Sequence, residues 1–178
     1  TRILVDVLRL PYGFEIYSLL TRWNPLNVRR PHPLPYNGKK ILVVGMGPAG
    51  YTLAHHLLNE GFGVVGAEGM KVEPLSVRMR GAKRRVPQPI QDIGQVTGPL
   101  DRRTILGFGG VSEYGITVRW DKNYLKLVRL LLERRTAFSL FDSVRLGGTL
   151  TLPQAFELGF DHIALCHGAG KPTMLGMP

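Results

Sequence analysis

Two groups in this chain have the type and spacing to hold a nucleotide. The first is Gly45-Met46-Gly47-Pro48-Ala49-Gly50, a GxGxxG pattern. It follows the apolar run Ile41-Leu42-Val43-Val44 and opens a stretch with Leu53, Leu57 and Leu58 at helical spacing. In a strand–turn–helix setting Gly45 allows the sharp turn, Gly47 lets the backbone approach a pyrophosphate, and Gly50 permits close helix–strand contact. The helix start, with Pro48 and Ala49 at its mouth, offers free N–H groups and a positive dipole end to phosphates. The second group is Glu68. An acid roughly 20 residues beyond the glycines accepts hydrogen bonds from an adenosine ribose, and its charge makes a 2′-phosphate, and so NADP, the poorer fit.

Other reactive side chains read as structural. His55 and His56 are neighbours in sequence, and adjacent helix positions point about 100° apart, which does not make a chelating pair. Cys166 stands alone in an apolar strand, where a thiol is an inert core group. A single cysteine makes no internal disulfide, no CxxC pair and no iron–sulfur site by itself. No Ser/His/Asp set and no paired carboxylates have supporting context, so no catalytic residue and no metal site is assigned. Trp23 and Trp120 could stack on a cofactor, but packing is the commoner role of tryptophan.

The elements that must position the nucleotide groups form a β-α-β unit of about 30 residues. Its strands are Ile41–Val44 and a run from Val64 to near Glu68, joined by a helix over Tyr51–Glu60 that closes at Gly61. A second amphipathic helix is expected from Asp121, through Tyr124, Leu127, Val128, Leu131 and Leu132, to near Arg135. Strands are expected at Phe138–Phe141 with Val144–Leu146, and at His162–Cys166. The fold class is therefore α/β, with a Rossmann-type parallel sheet in residues 38–178. Residues 1–37 read as an N-terminal arm, with two short helical turns, then Pro25, Pro31, Pro33 and Pro35, which favour extended chain. Residues 69–106 read as a basic insertion, a partly mobile loop or hairpin-like excursion carrying Lys71, Arg78, Arg80, Lys83, Arg84 and Arg85. That cluster suits a solvated loop, a docking surface for an acidic redox partner, or nucleic acid. The last lacks interleaved aromatics for stacking.

With Glu68, the run Val43-Val44-Gly45-Met46-Gly47-Pro48-Ala49-Gly50 resembles the FAD entry motif of the glutamate synthase small-chain family. Related FAD domains occur in dihydropyrimidine dehydrogenase and bifurcating ferredoxin:NADP reductases. Gly109-Gly110-Val111 with Tyr114-Gly115-Ile116 resembles the family's GGx…YGIP segment, and Lys122 with the helix after it its next helix. The run from Asp161 to Pro172 resembles its DAVxLAxGAxxP segment. The resemblance covers residues 40–68 and 107–178. It implies an FAD-dependent oxidoreductase in which Gly45–Gly50 cradle the pyrophosphate and Glu68 holds the ribose. Gly110 and Val111 would lie along the pyrophosphate–ribityl region, Arg119 near the cofactor, Val144 on a strand facing the adenine, and Gly168 near the diphosphate. NAD(P)H would bind at a domain outside this chain, and electrons would pass to iron–sulfur centres or a substrate domain, in the rest of the polypeptide or in partner subunits. Departures are Thr117 in place of the YGIP proline, His167 in place of a small polar residue, the long 69–106 stretch, and the absence of the family's N-terminal cysteine clusters.

The 178 residues carry 23 Lys+Arg against 13 Asp+Glu, a formal net charge of +10. Such an excess attracts polyanions and phosphorylated cofactors. No apolar run approaches the 18 or so residues of a membrane helix, and no signal peptide is evident. A reducing, cytoplasmic compartment is expected, and the chain reads as a segment of a longer protein. Two other classes share the glycines and the acid: an NAD-binding dehydrogenase domain, and a non-catalytic nucleotide-binding interaction subunit.

Overall fold

A computed structural model of the protein describes residues 8–82, 86–99, 110 and 123–168. Strand β1 (Lys40–Val44) buries four successive residues, Ile41 to Val44. A strand apolar on both faces needs cover above and below and a neighbour on each side. It pairs in parallel with β2 (Gly63–Ala67) on one side and with β4 (His162–Leu165) on the other. Strand β3 (Phe138–Phe141) pairs in parallel with β2, which gives the order β3-β2-β1-β4. The fold is α/β with a Rossmann-type parallel sheet.

Alternation along β1 assigns the two faces. Ile41 and Val43 pack with Met46, Val64 and Phe138 beneath Ala54 and Leu58 of α2 (Pro48–Asn59). Leu132 of α4 (Asn123–Glu133) completes that layer. Leu42, Val44 and Ala67 pack on the opposite face against Ala155 of α5 (Leu152–Glu157). Helix α5 was not expected, although its start carries a capping box. Thr151 N donates to Gln154 Oε1 at 2.9 Å, and Gln154 N donates back to Thr151 Oγ1 at 3.4 Å.

The structure corrects the expected strand at Val144–Leu146. Strand β3 ends at Phe141, and Ser143, with φ +56°, turns the chain away at once. Leu146 makes only an isolated bridge with Leu150. Of the two helical turns expected in the arm, the second is the helix α1 (Gly13–Arg22), and most of the first, around Leu4–Leu10, lies outside the described residues. Beyond α1 the extended chain lies against the end of α2, where Leu34 N donates to Asn59 O and Asn37 N to Gly61 O, both at 2.9 Å. An Arg30–Glu60 ion pair fastens the same junction.

The described part of 69–99 is more than a loop. It carries α3 (Val77–Arg80) and a 3₁₀ turn at Ile93–Gln95. Leu75, Ile90 and Val96 are buried with Phe14 of α1 and with Leu127 and Leu130 of α4, a second core. Helix α4 is thus sandwiched, which explains why its buried positions exceed one amphipathic stripe. Arg134 ties this layer together, with Nη1 2.9 Å from Glu15 Oε1, Nε 2.6 Å from Met79 O and Nη2 3.0 Å from Gln88 O. Among the described residues no helix is long and apolar enough to cross a membrane.

Candidate functional site

The glycine turn leaves the C-terminal end of β1 beside β4, where the strand order reverses and where ligands bind in open α/β sheets. Gly45 has φ +89°, and its N–H donates to Ala67 O at 2.8 Å. A Cβ on Gly45 would lie 2.6 Å from Cys166 O and 2.9 Å from His167 Cα, so the exit of β4 closes directly over it. A Cβ on Gly50 would lie 1.9 Å from Gly45 O, so the helix start and the turn share space that only glycine leaves free. Met46 is fully buried, pegging the loop onto the sheet beside Gly66.

Gly47 is the N-cap of α2, in extended conformation and with no side-chain cap, and Pro48 stands at the helix start. Pro48 and Ala49 are exposed. The mouth of a 12-residue helix therefore faces solvent with its N-terminal N–H groups uncapped by any side chain, a favourable place for an anion.

Glu68 follows β2, and its carboxylate turns back onto the loop. Oε2 accepts from Met46 N at 3.0 Å, and Oε1 lies 3.4 Å from Met70 N. Its backbone is held on both sides, the N–H by Phe141 O at 2.9 Å and the carbonyl by Val144 N at 3.0 Å. Gly110 comes to the same place from far along the chain: with φ +52°, a Cβ on it would stand 3.2 Å from Gly47 Cα. Gly168 follows β4 at φ +67°, exposed, with open space around it. Cys166 N donates to Val44 O at 2.7 Å and so anchors that exit beside Gly45.

The structure thus brings together Gly45, Gly47, Pro48, Ala49, Gly50, Glu68 and Gly110, with Gly168 on the adjoining strand exit. Val144 is corrected: it lies in the turn after β3, its N–H spent on Glu68, and not on a strand. Val111, Arg119, the Tyr114-Gly115-Ile116 run, Thr117, Trp120, Asp121, Lys122 and the Lys83–Arg85 run lie outside the described residues. Two contributors were missed, the Met46 peg and the backbone wall at Cys166–His167. A buried residue inside a glycine pattern and a wall more than a hundred residues away leave no local signal.

Burial pushes the Cys166 thiol up, which disfavours the thiolate. His55 is pushed down to about 4, first by burial, then by the Arg135 guanidinium, with smaller contributions from His56 and Arg22, against a pull upward by the Thr21 backbone. The two histidine rings meet edge to face, 5.6 Å apart. Trp23 stacks on His32, a packing contact. Among the described residues no cluster of His, Cys, Asp or Glu could hold a metal ion.

No family model matches the chain. It is similar to an uncharacterized protein of Rickettsia prowazekii (strain Madrid E), with 47% identity over 177 residues. That match covers 99% of this chain and 24% of the relative, so the chain spans about a quarter of the length of the curated relative it matches.

Proposed function

We propose that this chain is the FAD-binding segment of an NAD(P)H-dependent flavoprotein oxidoreductase of glutamate synthase small-chain type. The observation that carries the reading is the meeting of Gly45–Gly50, Glu68 and Gly110 at the C-terminal end of the sheet, from three separate parts of the chain. The residues fit an adenosine diphosphate group. Gly45 and Gly50 fill with backbone the space that side chains would occupy, the α2 N–H groups would hold the pyrophosphate, and the Glu68 carboxylate would take the ribose hydroxyls. Bound FAD would supply the redox chemistry, and the protein would supply binding and orientation. Met46 and the β4 exit hold the loop in place, and Glu68 rejects a 2′-phosphate by charge. An NAD-binding dehydrogenase domain is the second reading, since the glycines and Glu68 serve either dinucleotide; Gly110 against Gly47, with the resemblance of its segment, favours FAD.

Titration of the intact apoprotein with FAD, FMN and NAD tests this. Glu68→Gln keeps an acceptor for Met46 N–H but removes the charge, and FAD binding should weaken by about 1–2 kcal/mol. Glu68→Ala should cost more, and FMN, which has no adenosine, should bind poorly to every form. FAD affinity unchanged within about 0.5 kcal/mol in Glu68→Ala would refute the role of Glu68. Tighter binding of NAD than of FAD would refute the flavin assignment.

A further inference from the structure

We infer that the free edge of β3 is a docking strip for an extended acidic peptide segment of another protein, a site separate from the nucleotide loop. Among the described residues, strand β3 is the outermost strand on its side of the sheet. Ala137 and Phe141 carbonyls accept from Val64 and Glu68 N–H groups at 2.8 and 2.9 Å, so the odd-numbered residues face β2. Phe138 and Leu140 therefore turn their backbone groups outward. Phe138 N–H is used by Arg135 O at 3.0 Å, but among the described residues nothing pairs with Leu140 N–H or C=O. Unpaired edge groups of this kind are a template for strand addition.

An open cleft of about 1270 Å³ runs along this edge, lined by every residue from Phe138 to Asp142 and, opposite, by Lys71, Val72, Pro74, Arg80, Val86 and Pro87 among others. Its end is closed by Val72 N donating to Asp142 Oδ2 at 2.8 Å and Ser143 N donating to Met70 O at 3.2 Å.

The charge in the cleft selects the occupant. Lys71 and Arg80 line it, exposed, with no acidic partner among the described residues. The acids there are already engaged, Glu133 by Arg129 at 2.8 Å and Asp142 by Val72 N. What remains is positive. Val86, 90% exposed, and Phe141, 57% exposed, offer apolar contact to alternate side chains of an added strand. An RNA strand could use the charge but would leave the Leu140 backbone groups unpaired, whereas an acidic peptide satisfies both.

The test is anisotropy of a fluorescein-labelled acetyl-Glu-Val-Glu-Val-Glu-Val-Glu-amide peptide with the intact protein. Controls are the same peptide N-methylated at alternate residues, its Lys-for-Glu counterpart, and an oligouridylate of equal charge. The acidic peptide should bind, slow hydrogen exchange at Leu140 N–H, and lose about tenfold in affinity in Lys71→Glu/Arg80→Glu, whose side chains are exposed and make no ion pair among the described residues. The N-methylated and lysine peptides should fail to bind. Absence of binding by the acidic peptide, equal binding of the N-methylated form, equal or tighter binding of oligouridylate, or unchanged affinity in the double variant would each overturn the proposal.

Discussion

Gly45 is confined twice, by a left-handed φ of +89° and by the Cys166 carbonyl 2.6 Å from where a Cβ would stand. Gly45→Ala should therefore destabilise the apoprotein itself, by on the order of 3 kcal/mol in urea unfolding, before any ligand is added. A variant with wild-type unfolding and only weaker nucleotide binding would mean that the wall at Cys166 yields easily. The glycine pattern and Glu68 were readable because their chemistry is local: one turn, one helix mouth, one strand end. The Met46 peg and the β4 wall were not, because a contact between residues 45 and 166 is set by strand order and leaves no mark in either neighbourhood. The strand placement of Val144 failed for a related reason. Apolar residues after β3 look like more strand, and only the αL turn at Ser143 shows that they leave it.

Helices and strands were legible where a period repeats. Strand β1 announces burial on both faces, and α2 and α4 carry helical spacing. Residues 69–99 show no period because Leu75, Ile90 and Val96 are spaced to meet α4, not to form one regular element. Helix α5 is a single turn and a half whose Thr151–Gln154 capping box is its main local sign. Arg134 ties the 69–99 layer to α1, since its guanidinium bonds Met79 O and Gln88 O as well as Glu15 of α1 and lies 5.2 Å from the centre of the Phe14 ring. Arg134→Ala takes from Glu15 its charge partner, leaving the carboxylate with Ile90 N–H alone among the described residues, strips two carbonyls of a donor, and should cost about 3 kcal/mol. Lysine lacks the planar fork and should rescue little. The check is hydrogen exchange: amides across 69–99 should open while β1 and β2 stay protected. Unchanged exchange in 69–99 would show that the apolar contacts and the remaining hydrogen bonds, such as Arg129 Nη2 to Glu73 O and Lys126 Nζ to Val96 O, hold the layer without Arg134.

At the scale of the whole molecule, the α/β class follows from one unit of strand, glycine turn, helix and strand, while the open edge and the extra layer on α4 depend on long-range packing. Stability should also respond to acid through His55, which sits where α1, α2 and the end of α4 converge near Arg22, Asn59 and Arg135. Its folded pKa of about 4 lies below the ordinary 6.5, so the unfolded chain takes the proton more readily. The contribution is complete above about 6.5 and is lost as pH falls toward about 4. The loss should be on the order of 1 kcal/mol once solvent screening of a half-buried ring is allowed for. His55→Gln should flatten that part of the pH–stability curve, and an unaltered acid slope would assign it to another group. The pairing of β1 with β4 carries a different kind of consequence. Lys40 and Asp161 are 121 positions apart, yet Lys40 N donates to the Asp161 carboxylate at 2.7 Å and Asp161 N returns a bond to Lys40 O at 2.9 Å. During synthesis β1, α2 and β2 emerge and can associate early, while the strand that walls Gly45 arrives only after residue 161 is made. Contacts of such separation form slowly, so the glycine loop takes its final shape as one of the last steps of folding, and a ligand seated on it would favour completion of the sheet over its half-assembled precursor.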